Sequence, residues 1–171
     1  MIMTPRVRRF ALTAHVTSSV GWLGAVAAFV ALAAVGLTSR DAQTVRGAYL
    51  AMEPTAWFVL LPFAFASLLT GLVQALGTAW GLFRHYWVVF KLSINVVATT
   101  VLLIYMETFR FLSDVAADQS ADLGTVRNAS PLLHAVAAML LLLAATAFAI
   151  YKPRGLTPYG RKRLKPLAKR A

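Results

Sequence analysis

The chain is expected to be all-α, a four-transmembrane-helix bundle with both termini cytoplasmic, and three features of the sequence predict it. Apolar residues fill four long stretches, roughly Phe10 to Leu37, Ala56 to Leu76, Trp87 to Met106 and Pro131 to Tyr151. Each has at least about the ~20 residues that carry an α-helix across a ~30 Å hydrocarbon core. The composition, 59% hydrophobic and 13% charged over 171 residues, leaves little for a soluble surface. The third feature is where the charges lie, because short loops rich in Lys and Arg stay cytoplasmic. Arg6, Arg8 and Arg9 precede the first stretch, Arg84 separates the second from the third, and the C-terminal segment carries Lys152, Arg154, Arg161, Lys162, Arg163, Lys165, Lys169 and Arg170. All six acids, Asp41, Glu53, Glu107, Asp114, Asp118 and Asp122, fall in or beside the other two connections.

Taken in order, the first helix starts from a basic flank. Its apolar run is far longer than the ~7–15 residues of a signal core, so it reads as a permanent anchor. Small residues four apart, Gly21 with Ala25 and Gly24 with Ala28, predict close packing on a neighbouring helix. Asp41 to Met52 has helical character with Asp41 as its cap, and should run into the second helix with bends at Pro54 and Pro62. Trp80, Phe83, Tyr86 and Trp87 mark the inner boundary, and Tyr49, Trp57, Tyr105, Phe109 and Phe111 the outer one, as aromatic belts do. Asp114, Asp118 and Asp122 recur every four residues and would share a face if that outer segment were helical. Ser130 before Pro131 predicts a capped start for the fourth helix, and Lys152-Pro153 its stop. The domain should therefore cover residues 1–155, followed by a basic cytoplasmic tail over 156–171 that lies against anionic lipid headgroups. The net charge of +11 is accounted for by orientation and headgroups, with no nucleic acid partner required. The lipid bilayer is the primary partner, and the small-residue faces allow a homo-oligomer.

The absence of cysteine excludes disulfides, thiolate metal sites and cysteine nucleophiles. No phosphate-binding glycine loop, zinc-binding His-Glu motif or nucleophile elbow is present. Ionisable groups inside a bilayer are costly and become the first candidates. His15 lies about 9 Å beyond Arg9 along the first helix. Ser18, Ser19 and Trp22 share its face. Lys91 enters the third helix at a similar depth, with Trp87 and Asn95 on its own face. Two polar stripes at one level predict an inner-leaflet pocket. One reading is an imidazole ligand to haem iron or copper, or a proton-transfer group, with Lys91 as second ligand or anion partner. The other is a polar contact between helices, with Lys91 reaching the inner headgroups. His134 should lie near the outer surface, roughly 15 to 20 Å from His15 in depth, and His85 at the inner interface. Ser67, Thr70, Gly71 and Gln74 form a small polar stripe in the second helix suited to interhelical hydrogen bonds.

The spacing from His15 to Trp22-Leu23-Gly24, the run Tyr86 to Leu92 opening the third helix, and Tyr151-Lys152-Pro153 closing the fourth resemble a group of small bacterial membrane proteins. That group includes the haem-binding four-helix type of protoporphyrinogen oxidase, the copper-resistance D type of membrane domain, and predicted integral membrane proteins without an assigned activity. The resemblance implies a bacterial cytoplasmic membrane. It also implies a b-type haem or a copper ion held by His15, with Lys91 and Trp22 beside it, in a redox or haem-handling role. The chain departs from the pattern too. Near the end of the third helix it has Tyr105-Met106 where the oxidase type would show a further histidine, and it lacks the Met and His ligands expected of copper import. A non-enzymatic scaffold or subunit and a small transporter are the alternative functions.

Overall fold

The computed structural model describes residues 3–127 and 129–162, which are helical apart from short connections. Four helical segments are long and apolar enough to cross a membrane: Pro5–Thr38, Ala42–Gly77, Tyr86–Ala117 and Leu123–Tyr151. The all-α four-helix bundle expected from the hydropathy is therefore the fold.

Helix α1 (Pro5–Thr38) begins earlier than its apolar run, because Pro5 occupies the first turn where no backbone donor is needed. Helix α2 (Ala42–Thr55) starts on Asp41, whose carboxylate accepts from the Thr44 backbone N–H at 2.8 Å, as the sequence predicted. It is the least apolar of the helices, and it buries Val45, Ala48, Tyr49 and Met52, a stripe at helical spacing. Between Pro54 and Pro62 the chain does not break. It widens into a π turn (Ala56–Leu60) and continues as α3 (Leu61–Gly77), so the two expected bends become one locally loosened helix.

Helix α4 (Tyr86–Ala117) runs well beyond the predicted end at Met106. The extension is held by burial of Phe109, Leu112, Ser113 and Ala116, mainly against α2. The acidic face does not form, because α4 ends at Ala117, Asp118 binds the Ser120 N–H at 2.8 Å, and Asp122 caps a separate 3-10 turn. Helix α5 (Ser130–Tyr151) also departs in detail. Ala129 is its N-cap, and the Ser130 hydroxyl bonds the Tyr105 hydroxyl at 2.5 Å instead of capping. Lys152, in the left-handed region with φ 42°, ends the helix before Pro153.

Helices α1 and α4 lie diagonally across the bundle. Each packs on α3, α2 and α5, and among the described residues neither touches the other at backbone level. Only long side chains bridge that diagonal, as Phe29 and Phe109 do with ring centroids 4.7 Å apart. Of the two small pairs in α1, Gly21 is pressed on Phe63, where a Cβ would come within 2.7 Å of the ring, whereas Gly24 faces open space. Only the first pair packs within the chain. At the far end, Arg46 of α2 spans to the carbonyls that close α4, donating to Ala116 at 3.1 Å, Asp118 at 2.5 Å and Ala121 at 3.0 Å.

The segment after α5 folds back on the α3–α4 connection. Thr157 donates from its N–H to the Arg84 carbonyl at 3.0 Å and from its hydroxyl to the Phe83 carbonyl at 2.5 Å. Arg163, Lys165, Lys169 and Arg170 of the expected basic tail lie outside the described residues.

Two of the acids outside the spans titrate abnormally. The Thr44 hydroxyl and then its N–H hold the Asp41 carboxyl below the usual carboxylate range, and the Ser120 hydroxyl and N–H do the same for Asp118. A folded-state value below the unfolded one contributes stability above the unfolded value, which is lost as the pH falls through the folded one. The thermal midpoint in detergent is expected to fall below about pH 4, and to fall less steeply in the Asp41→Asn/Asp118→Asn double variant. Identical pH profiles would refute the assignment.

Candidate functional site

The deepest polar cluster lies toward the basic end, which carries Arg8, Arg84 and Lys152. Helix α1 supplies His15, buried to 7% exposure, and α4 supplies Lys91. The Lys91 Nζ and His15 Nε2 are 2.8 Å apart, so the two residues placed at equal depth by counting along their helices do meet, across the bundle diagonal. On its other side the imidazole reaches α3, with Nδ1 3.1 Å from the Thr70 hydroxyl.

The proton arrangement follows from Thr70. Its hydroxyl donates to the Ala66 carbonyl at 2.5 Å, so it accepts from His15 Nδ1–H, which leaves the Nε2 lone pair for Lys91 to donate into. Ser18 donates to the His15 carbonyl at 3.1 Å, and Ser19 meets Ser67 at 2.8 Å. Asn95 donates to the Lys91 carbonyl at 3.0 Å and accepts from Ser67 at 3.4 Å. The imidazole fits because Gly71 gives way to it: a Cβ there would stand 3.1 Å from His15 Cε1. The α3 stripe expected to make interhelical hydrogen bonds does so: Thr70 bonds the candidate His15, Ser67 bonds Ser19 and Asn95, and Gln74 donates to the Arg8 carbonyl.

Beside this cluster is a cavity of about 690 Å³ between α1, α3, α4 and α5. Trp22, Trp80 and Trp87 contribute aromatic wall, and among the described residues its charged lining consists of Arg8, Lys91 and Lys152, with no acid. Arg8 and Lys152 are exposed and mark its mouth at the basic end. Trp80 is fixed there by an edge-on contact with Trp87 at 5.4 Å and by Lys152 over its ring at 5.6 Å.

Trp22, 2% exposed, stands two turns along α1 from His15. The role of Arg8 was legible in retrospect: Arg8, His15, Trp22 and Phe29 recur every seven residues and so share one face of α1. Lys152 and Trp80 carried no such signal, because loop geometry brings them in.

The other histidines are not part of the cluster. His85 binds the Trp80 carbonyl at 2.9 Å, and the His134 ring lies tilted against Tyr105, centroids 4.5 Å apart, near the opposite end. Among the described residues no three of His, Cys, Asp and Glu come together, so a metal ion here would depend on donors beyond the protein's own carboxylates and imidazoles. No protein-family model, curated protein or solved structure matches the chain.

Proposed function

We propose that the protein binds a flat, amphipathic anion in this cavity, within the cytoplasmic leaflet of a bacterial membrane, and that b-type haem is the member of that class best suited to the site. The observation that carries the reading is the lining, three cations without an acid against an otherwise largely apolar and aromatic wall. A cation held in a membrane interior without a counter-ion is costly, and a ligand carboxylate relieves that cost. An aromatic wall suits a planar apolar body.

The residues fit a haem on stated terms. His15 would hold the haem iron through Nε2, which requires Lys91 to withdraw from its 2.8 Å contact; the flexible four-carbon stem permits that. Lys91 then serves as second ligand or anion partner, and Trp22 as wall. Bound haem would supply one-electron chemistry, in a redox or haem-handling role.

The test is an oxidised and dithionite-reduced visible spectrum of the protein purified in mild detergent from haem-replete cells. A Soret band with sharp reduced α and β bands is expected at near-stoichiometric haem, the α and β bands lost in His15→Ala and retained in His134→Ala. A blank spectrum, together with no quenching of tryptophan fluorescence by added protoporphyrin IX, would overturn the reading.

A further inference from the structure

A second, smaller cavity of about 270 Å³ lies further along the bundle toward the acidic end. The same three helices wall both spaces in succession. On α1 the face that presents His15 to the first cavity presents Val26 and Phe29 to the second. On α4, Lys91 and Asn95 give way to Ala98, Leu102 and Tyr105, and on α5, Ala145 and Leu142 give way to Leu141 and Ala138. Among the described residues a single one lines both cavities, Trp22. Because α1 and α4 make no backbone contact across this diagonal, no backbone contact between that pair divides the two spaces. The tilted pair Phe29 and Phe109, both in the wall of the second cavity, stands at its acidic end.

From this geometry we infer that the two cavities are halves of one passage, that the Trp22 indole is its inner gate, and that the anion bound near His15 and Lys91 crosses the membrane through it. The inference rests on the binding proposed above and adds transport to it. The chemistry along the route is graded. A cationic, tryptophan-walled vestibule attracts an amphipathic anion, and an apolar space with the Tyr105 and His134 rings at its far end receives it. An aromatic side chain with two rotatable bonds between two voids can join them by a rotamer change.

The absence of cysteine makes the test direct, because a single introduced thiol is the sole reactive one. Ala138→Cys places it in the second cavity. The full chain is reconstituted in vesicles and a small membrane-impermeant methanethiosulfonate is applied from the basic end. Modification is expected to be at least about 10-fold faster when Trp22→Ala is added. Trp22→Phe, which keeps a ring in place, should give an intermediate rate and guards against misfolding of the alanine variant. Equal rates in all three backgrounds would overturn the gate. Transfer of protoporphyrin IX into vesicles holding trapped albumin should exceed that into protein-free vesicles and fall in Lys91→Met; thiol access without transfer would overturn transport. Should protoporphyrin neither bind nor protect the thiol while access still rises with Trp22→Ala, the passage stands and the proposed ligand falls, so the two failures are distinct.

Discussion

Lys91→Met is expected to weaken protoporphyrin IX binding about 30-fold, whereas His15→Ala changes it no more than about 3-fold yet abolishes the reduced α and β bands of haem. The difference follows from what each side chain offers. Lys91 is the deep cation of the cavity, and all six acids of the chain lie elsewhere, toward the opposite end. A charge-assisted hydrogen bond contributes about 1.5–3 kcal/mol, or roughly 10–150-fold in affinity. Arg8 and Lys152 are exposed, so water screens them and either loss should cost about 2–3-fold. Methionine preserves the length and apolar contacts of the lysine stem, and removing an ammonium from a membrane interior favours the folded helix. The variant should therefore be at least as thermostable as the parent, which separates lost recognition from unfolding. Lys91→Arg should restore part of the affinity. Unchanged affinity in Lys91→Met, with binding still suppressed by salt, would move recognition to the mouth of the cavity and refute the role assigned to Lys91.

The spans, and the common depth of His15 and Lys91, were legible because both depend on quantities that a sequence carries directly. Hydropathy gives the helices, and helical rise from the basic flanks puts the two residues at one depth. Their contact needed one further condition, that α1 and α4 be diagonal with a gap between them, and no local pattern encodes which helices are neighbours. The helix ends beside the acidic connections were misjudged for a different reason. Past Met106 the residues of α4 are mixed polar and apolar, so hydropathy predicts a boundary, whereas burial of Leu112 and Ala116 by α2 keeps the helix going. Ser130 illustrates the same limit. A hydroxyl before proline is a good cap by itself, but Tyr105 from α4 offers it a shorter bond. The return of Thr157 onto the α3–α4 connection was illegible because each partner is an ordinary loop residue. The ligand itself is set by shape and charge in three dimensions, which is why haem remains a proposal resting on His15, Lys91 and Trp22.

Arg46→Ala should destabilise the fold by about 3 kcal/mol, read as a fall of roughly 6–12 °C in the thermal midpoint in detergent. The last carbonyls of an α-helix have no partners within it and carry the negative end of its dipole. In α4 that end is closed by a guanidinium from another helix. One Arg46 nitrogen donates to Val115 at 3.4 Å, Ala116 at 3.1 Å and Asp118 at 2.5 Å, the other to Gln119 at 3.3 Å and Ala121 at 3.0 Å. Individually such bonds to a charged donor would sum to more, but the group is only partly buried, and water replaces some of what is lost. Arg46→Lys keeps the charge without the planar fork, so it should recover less than half of the loss. Hydrogen exchange at residues 115–121 should speed up in both variants before the rest of the chain responds. The effect should be global because the same helix ends bury Tyr49, Met52 and Leu112, among the most completely enclosed side chains described. Releasing the end of α4 opens that core to lipid and water together. A midpoint within about 2 °C of the parent would mean that the α2–α4 packing carries the junction and the guanidinium adds little to it.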